Sequence, residues 1–554
     1  MSTKSFYSLN EIRDNNAFLS RTRSIIETCF YGNNVIEITS LKQAYELAKN
    51  SPGTIVLNQK VFEAEKLGLN KDSNVLLFND GSITGRYAAA RRIQGDINVQ
   101  TNKLDKILMD AVYDSRYKKL YHAMAYVGLD KEFMVKAHLL IPEGHENILY
   151  NWLLNFQYIN EEYKQMYENS KPLGNEPDIF IFSDPDWKGT NQTDVCEGNC
   201  LSYIAPNSNC AAILGMKYFG EHKKGTLTLA WAIASRNGYA CCHGGQKEFI
   251  LENNKKFVAS VYGLSGSGKS TLTHAKHNGK YKVSVLHDDA FIINVDTCSS
   301  IALEPSYFDK TADYSTCSSE NKYLVTVQNC GATKDEFGNI VFVSDDIRND
   351  NGRSIKSKLW SSNRVDKIDS KLNAIFWIMK DPTLPPIIKL TNPSLASVMG
   401  ATLATKRSSA ERLAPGIDMS ALVIEPYANP FRTYPLSSDY EKFKKLVEEK
   451  SVDCYVINTG DFIGKNIPKD LTLKIIEDIV EEKATFKKWG PFNHISVYEF
   501  DGYVANFKDL NYVSMLKDRI QDRINFVKSR VGLDVLPNEA LFALESLIDE
   551  LNKL

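Results

Sequence analysis

Long apolar runs are missing from this 554-residue chain. No uninterrupted stretch approaches the ~18 residues that a membrane-spanning helix needs, so an ordinary transmembrane segment is excluded. The first residues, 1–16, mix charges and carry no apolar centre, so no secretory signal is expected and a cytoplasmic protein is the default reading. A dominant charge is missing as well. Sixty-six Lys and Arg against 68 Asp and Glu leave a formal net charge of -2, so no overall field recruits nucleic acid or an anionic membrane. Any anion must be held by local clusters. Cysteine is sparse, ten scattered residues, which suits reduced thiols rather than a disulfide framework. Cys196, Cys200 and Cys210 gather in one polar stretch, but no fourth ligand stands at finger-like spacing, and a zinc site is not expected there. Internal repeats and long low-complexity tracts are also absent.

What remains is ordinary globular composition, 43% hydrophobic and 24% charged, in a chain long enough for about three domains or two large ones. Short apolar runs bounded by polar or turn residues, at 179–182, 257–262, 283–286, 374–379 and 454–457, read as buried strands. Helical patterns fall between them, at 440–450, at 471–483 and in a last segment with Ile520, Ile524, Val527 and Val531 on one core-facing stripe. The mixture predicts an α/β fold with α+β mixed sheets, and a domain boundary near Gly238.

The most specific local signal is Gly263-Leu264-Ser265-Gly266-Ser267-Gly268-Lys269-Ser270, which fits G-x-x-x-x-G-K-[ST] directly after the strand at 257–262. Glycines let successive backbone N–H groups converge on phosphate oxygens without obstruction by a Cβ. Lys269 would neutralise the outer phosphates, Ser270 offers a hydroxyl to a divalent cation, and Thr271 follows where a helix can open with its positive end toward the anion. Soon after, a second strand ends in Asp288-Asp289, a carboxylate pair suited to holding a hard cation beside phosphates. Transporter ATPases share the loop wording, but the L-S-G-G-Q-like signature they require is missing.

Outward from the loop, the sequence resembles the ATP-dependent phosphoenolpyruvate carboxykinases, in order, over nearly the whole chain. Tyr218-Phe219-Gly220-Glu221-His222-Lys223-Lys224-Gly225 is similar to the family's Y-x-G-E-x-K-K-G, and the loop to G-L-S-G-T-G-K-T. Residues 304–315 follow E-G-G-C-Y-A-K-T-I-x-L-S, 351–353 the end of E-N-T-R, and 456–465 the V-N-T-G-x-x-G-x-G-K region. Thr84-Gly85-Arg86 stands for T-G-R and Asp184-Pro185-Asp186-Trp187 for N-P-x-W. Outside the phosphate loop no single motif is specific; their shared order carries the resemblance.

The resemblance implies a two-domain protein, 1–238 binding substrate and 239–554 binding nucleotide, with a mobile lid near 401–416. It implies reversible decarboxylation of oxaloacetate and its phosphorylation by ATP, giving phosphoenolpyruvate, carbon dioxide and ADP, in a cytoplasmic, gluconeogenic enzyme that is a monomer or small homo-oligomer. Only small molecules are expected as partners. By position, Lys224, His243 and Asp289 would hold Mn2+, with Asp288 beside them, and Ser270 would hold the Mg2+ that accompanies ATP. A lysine ligates only as the free amine, which the charges of Lys223 and of the metal would favour. Arg86 and Arg353 would grip the carboxylate and the moving phosphoryl group, Lys310 would add charge near the γ-phosphate, and Tyr218 and Ser265 would line the oxaloacetate pocket. Asn466 and Ile467 fall in the adenine-contacting region.

Departures are visible too. Ala290-Phe291-Ile292-Ile293 replaces the family's E-H-G-W, Pro305-Ser306-Tyr307 replaces Gly-Gly-Cys, and Asn466 stands where an arginine is expected to pack on adenine. Two other readings therefore stay open: a related phosphotransferase with another acceptor, and a nucleotide-binding regulatory protein without turnover.

Overall fold

The computed structural model describes residues 1–13, 16–79, 81, 84–189, 199–252, 254–264, 266–313, 318–344, 351–406 and 422–554. The chain divides into two compact units, and the division is interleaved rather than sequential. Of the described residues, the first takes those of Met1–Ile233 and Leu303–Ser362; the second takes those of Ala234–Ala302, 363–406 and 422–554. The first crossing falls inside the helix Phe219–Arg236, close to the Gly238 expected from sequence. The return of residues 303–362 to the first unit has no counterpart in a single boundary at that glycine.

In the first unit a mixed sheet runs in the order Val35–Ile38, Leu120–Asp130, Phe133–Pro142, Ile179–Asp184, Cys210–Leu214, Leu201–Ala205, Arg91–Ile93, with Gln157–Tyr158 beside the second strand. A smaller sheet orders Tyr307–Lys310, Arg353–Lys356, Leu324–Gln328, Asn74–Phe78 and Thr54–Lys60. The Ile179–Asp184 run is buried along its whole length, as a near-continuous apolar strand between parallel partners should be.

The second unit is built on a long mixed sheet. Its order is Lys367–Ile368, Ser300–Ala302, Ala290–Asn294, Tyr239–Ile250, Lys256–Tyr262, Leu372–Met379, Asp453–Asn458, Ile387–Leu390, Ile495–Val497 and Lys487–Lys488; Lys282–His287 also pairs with Tyr239–Ile250. Lys256–Tyr262, Leu372–Met379 and Asp453–Asn458 lie parallel at its centre. Their Val261, Phe376, Ile378 and Ile457 pack with Ile475 and Ile476 of the helix Lys469–Val480. Each such side chain, fully buried, contributes about 1.5–3 kcal/mol of transfer free energy.

The expected strands and helices are present with boundaries moved by a few residues. One detail changes: the helix Leu510–Lys528 buries Ile520, Ile524 and Val527, but ends before Val531, which is 60% exposed. Periodicity continued past the point where the backbone stops being helical.

Candidate active site

In the second unit the strand Lys256–Tyr262 runs into Gly263 and Leu264, turns, and opens the helix Lys269–His274. Sequence dictates the turn closely. Gly266 and Gly268 have φ of 80° and 99°, left-handed values that side chains with a Cβ resist, and Gly268 caps the helix. At Gly263 a Cβ would stand 2.3 Å from Ser267 Oγ. Two neighbours hold the turn by its carbonyls: Lys380 Nζ donates to Gly266 O at 3.1 Å and Thr459 Oγ1 to Ser267 O at 3.0 Å. Ser270 and Thr271, at the start of the helix, are exposed. Ser265, expected in the substrate pocket, lies outside the described residues.

Lys269 is 9% exposed, and its Nζ stands 3.7 Å from Asp289 Oδ1. The same carboxylate oxygen lies 2.9 Å from His243 Nε2. Antiparallel pairing of His243 with Ala290 and an amide bond from Gly244 N to Asp289 O, 3.0 Å, bring histidine and carboxylate together. His243 Nδ1 faces Ala428 O, a carbonyl that only accepts, so Nδ1 carries the hydrogen and Nε2 is left facing Asp289. Two lone-pair donors at this separation need positive charge between them. A proton on Nε2 supplies it, and a divalent cation fits the same demand. Among the described residues no group of three or more His, Cys, Asp and Glu side chains gathers as a metal cage. Three residues of the expected set, His243, Asp288 and Asp289, are of those types, and they do not gather into one such group.

Asp288 faces elsewhere. It is 6% exposed, 3.4 Å from His274 Nε2 of the turn helix and 4.0 Å from His287 Nδ1. Burial alone would raise its carboxyl, but pairing with His274 and the charge of Lys269 hold it below the usual carboxylate range. His287 Nδ1 also accepts the amides of Asp289 and Ala290, at 3.1 and 3.2 Å, which fixes the bend carrying both carboxylates.

Asn466 is exposed on a hairpin whose tip, Ile463 and Gly464, has φ of 48° and 79°. Its carbonyl accepts from Tyr503 OH at 2.6 Å. Ile467 is buried and donates its amide to Gly460 O at 3.0 Å. Of the expected lid at 401–416, residues 407–416 lie outside the described residues; Ala404–Lys406 is a strand paired with Leu422–Ile424.

The first unit holds the other candidates. Arg353 and Lys310 are register partners on adjacent antiparallel strands, so their side chains leave the same face. Arg353 is 5% exposed and its Nε donates to Tyr218 OH at 3.3 Å. Next to it a Cβ on Gly352 would meet Thr311 Oγ1 at 2.2 Å, so only glycine permits that approach. The loop with Arg86 is stapled to the loop with Arg353: Asn351 Nδ2 donates to Thr84 O at 2.9 Å, and Asn329 Nδ2 to Asn351 O at 2.9 Å and Thr84 O at 3.3 Å.

Lys223 and Lys224 diverge. On a helix adjacent residues point about 100° apart, and Lys223 is fully buried with its Nζ 3.0 Å from Glu304 Oε1. Asn155 Nδ2 supports the other Glu304 oxygen at 2.5 Å. The positive charge expected to act on Lys224 is thus matched by a carboxylate. Lys224 is half-buried, its Nζ 5.9 Å from the Trp231 ring centroid. Glu304 stands first in the matched stretch 304–315 but carries no role there, and Asn329 belongs to no motif, because each acts through a partner far away in the chain. Of the three clustered cysteines, Cys196 lies outside the described residues, Cys200 donates to Gly215 O at 3.3 Å, and Cys210 is buried in a strand.

The structure is thus a mixed α/β protein with a glycine turn between strand and helix and a buried lysine and a carboxylate beside it. Comparison with known proteins narrows that class. The sequence profile of the family described as phosphoenolpyruvate carboxykinase, in its ATP-dependent form, matches residues 52–501. The chain belongs to that family. Phosphoenolpyruvate carboxykinase (ATP) of Aeropyrum pernix is 26% identical over 301 residues, 51% of this chain and 58% of that relative. Phosphoenolpyruvate carboxykinase (ATP) of Staphylococcus aureus strain Newman is 24% identical over 398 residues, 68% of each chain.

Proposed function

We propose that this protein converts oxaloacetate and ATP to phosphoenolpyruvate, carbon dioxide and ADP. The observation that carries the reading is the match of the family profile across 52–501, within which the turn at 263–270 stands beside Asp289 and His243. Loss of carbon dioxide leaves an enolate, and that oxygen must then attack the γ-phosphorus. In the second unit the turn amides and Lys269 bind and orient the triphosphate, and Ser270 offers its hydroxyl to the accompanying Mg2+. His243 and Asp289 are the proposed protein donors to Mn2+, which would stabilise developing charge on the enolate oxygen. In the first unit Lys224 is the proposed amine donor, Arg86 and Arg353 orient carboxylate and phosphoryl oxygens, and Lys310 adds positive charge on the face of Arg353. Tyr218 OH, accepting from Arg353, fixes the guanidinium plane for such a task. Exclusion of water matters, because protonation of the enolate carbon would give pyruvate instead.

Asn466 in place of an arginine favours one second reading, a donor preference other than ATP. The test of both is phosphoenolpyruvate formation from oxaloacetate with Mn2+ present and ATP, GTP or pyrophosphate supplied in parallel. ATP is expected to be the productive donor. No phosphoenolpyruvate from any of the three would overturn the carboxykinase reading.

A further inference from the structure

Lys247 is an unusual residue to find inside the second unit's core. It lies on Tyr239–Ile250 and is 3% exposed, among Phe249, Leu272, Tyr281 and Val285. Strand alternation puts Gly245, Lys247 and Phe249 on one face, and that face meets the turn helix Lys269–His274. At Gly245 a Cβ would be 1.9 Å from Thr273 Oγ1, so the strand and helix pack backbone to side chain. Two residues on, the lysine reaches the helix's far end. Its Nζ donates to Leu272 O at 2.6 Å and to Ala275 O at 3.4 Å, meets His277 Nε2 at 2.8 Å, and lies 4.7 Å from the Phe249 ring centroid. An ammonium has three hydrogens, and three acceptors surround it.

The chain of bonds continues. His277 Nδ1 is 2.9 Å from Glu477 Oε1, on the helix Lys469–Val480. A carboxylate accepts, so Nδ1 carries the imidazole hydrogen and Nε2 offers its lone pair to Lys247. Lys280 Nζ, 3.4 Å from Glu477 Oε2 and 2.6 Å from Glu481 Oε1, closes the outer end. Burial draws the Lys247 ammonium down to about 7, with Glu477 opposing the shift. A helix of six residues makes too few internal bonds to hold itself, so its position depends on such ties.

We propose that Lys247 is a positioning residue for nucleotide binding: held by Glu477 through His277, it caps the C-terminal carbonyls of the turn helix and fixes where Lys269 and Ser270 stand at its other end. The inference rests on the nucleotide site proposed above. Among the described residues these three make their bonds to the helix end and to one another, and the effect is carried by the helix between.

The test uses the full chain, its K247M, K247R and E477Q variants, MgATP as the titrant in calorimetry, and steady-state kinetics. K247M is expected to weaken ATP binding about tenfold, the scale of a lost buried helix-terminal charge. The KM for ATP should rise in parallel while the KM for oxaloacetate stays near the parent value, and K247R should recover part of the loss. A purely structural lysine would lower the thermal midpoint yet leave the two KM values in their parental ratio. K247M that is folded by circular dichroism and binds ATP like the parent overturns the proposal. Should K247M not fold, E477Q decides: weakened ATP binding supports the relay, and parental affinity overturns it. A parent chain that binds no ATP overturns the nucleotide site itself and this inference with it.

Discussion

Lys223 and Lys224 are neighbours in sequence and opposites in surroundings. Lys223 spends its charge on a fully buried Glu304, while Lys224 keeps a half-buried amine beside Trp231. Breaking a buried pair leaves an uncompensated charge, so substitution at Lys223 acts first on stability. Substitution at Lys224 tests its proposed role as an amine donor. Lys224→Ala is expected to lower manganese-dependent turnover by about a hundredfold or more, as loss of a metal donor does, with ATP affinity nearly unchanged. Turnover across a Mn2+ titration, set against calorimetric ATP binding, checks this; equal loss of both would contradict the donor role. The doublet was legible as a motif. Its division of labour was not, because Glu304 and Asn155 lie far along the chain and only the fold brings them to Lys223.

Elements were legible where a local pattern determines them. The glycine turn after the strand Lys256–Tyr262 could be read because positive φ at Gly266 and Gly268 and the close approach at Gly263 are properties of those few residues. The end of the helix Leu510–Lys528 could not, since an apolar stripe says nothing about when backbone bonds stop. Caps say more. The helix Pro393–Ala401 starts after Asn392, whose side chain accepts from Leu395 N at 2.8 Å, with proline as the first helical residue. Asn392→Ala should destabilise the second unit by about 1 kcal/mol and Asn392→Ser should restore it, read as the denaturant midpoint with kcat unaltered. The long-range staples are the illegible remainder: His277 and Glu477 are 200 residues apart, and no periodicity relates them.

For the whole molecule, acid sensitivity follows from imidazoles packed inside the first unit, His138 buried and His122 half-buried. In the first unit His122 Nε2 is 3.0 Å from His138 Nδ1, and His138 Nε2 is 3.2 Å from Asp178. Burial, reinforced by the charge of His138, pulls His122 down to about 3. A folded value below the unfolded value of about 6.5 means that the unfolded chain binds the extra proton between them. Stability contributed by the neutral ring is therefore complete above about pH 6.5 and is lost as pH falls toward 3, by up to about 1.4 kcal/mol per pH unit. Thermal midpoints across pH 4–7 should fall with acidity, and His122→Phe should flatten that slope; an unchanged slope would contradict the assignment. Membership in an α/β class was legible from alternating strands and helices. The interleaving of the two units was not, because a single boundary near Gly238 cannot express a chain that leaves, returns and leaves again.

That return sets the order in which the protein can be made. Three of the five strands in the first unit's smaller sheet, Tyr307–Lys310, Leu324–Gln328 and Arg353–Lys356, follow the first segment of the second unit in the chain. Synthesis runs from the N-terminus, so Asn74–Phe78, with Thr54–Lys60 paired on one side of it, emerges from the ribosome long before its other partner, Leu324–Gln328. Until then Asn74–Phe78 presents an apolar edge, Val75 to Phe78, with one side unpaired. The nascent chain must shield that edge, by itself or with a chaperone, for the time it takes to translate what lies between.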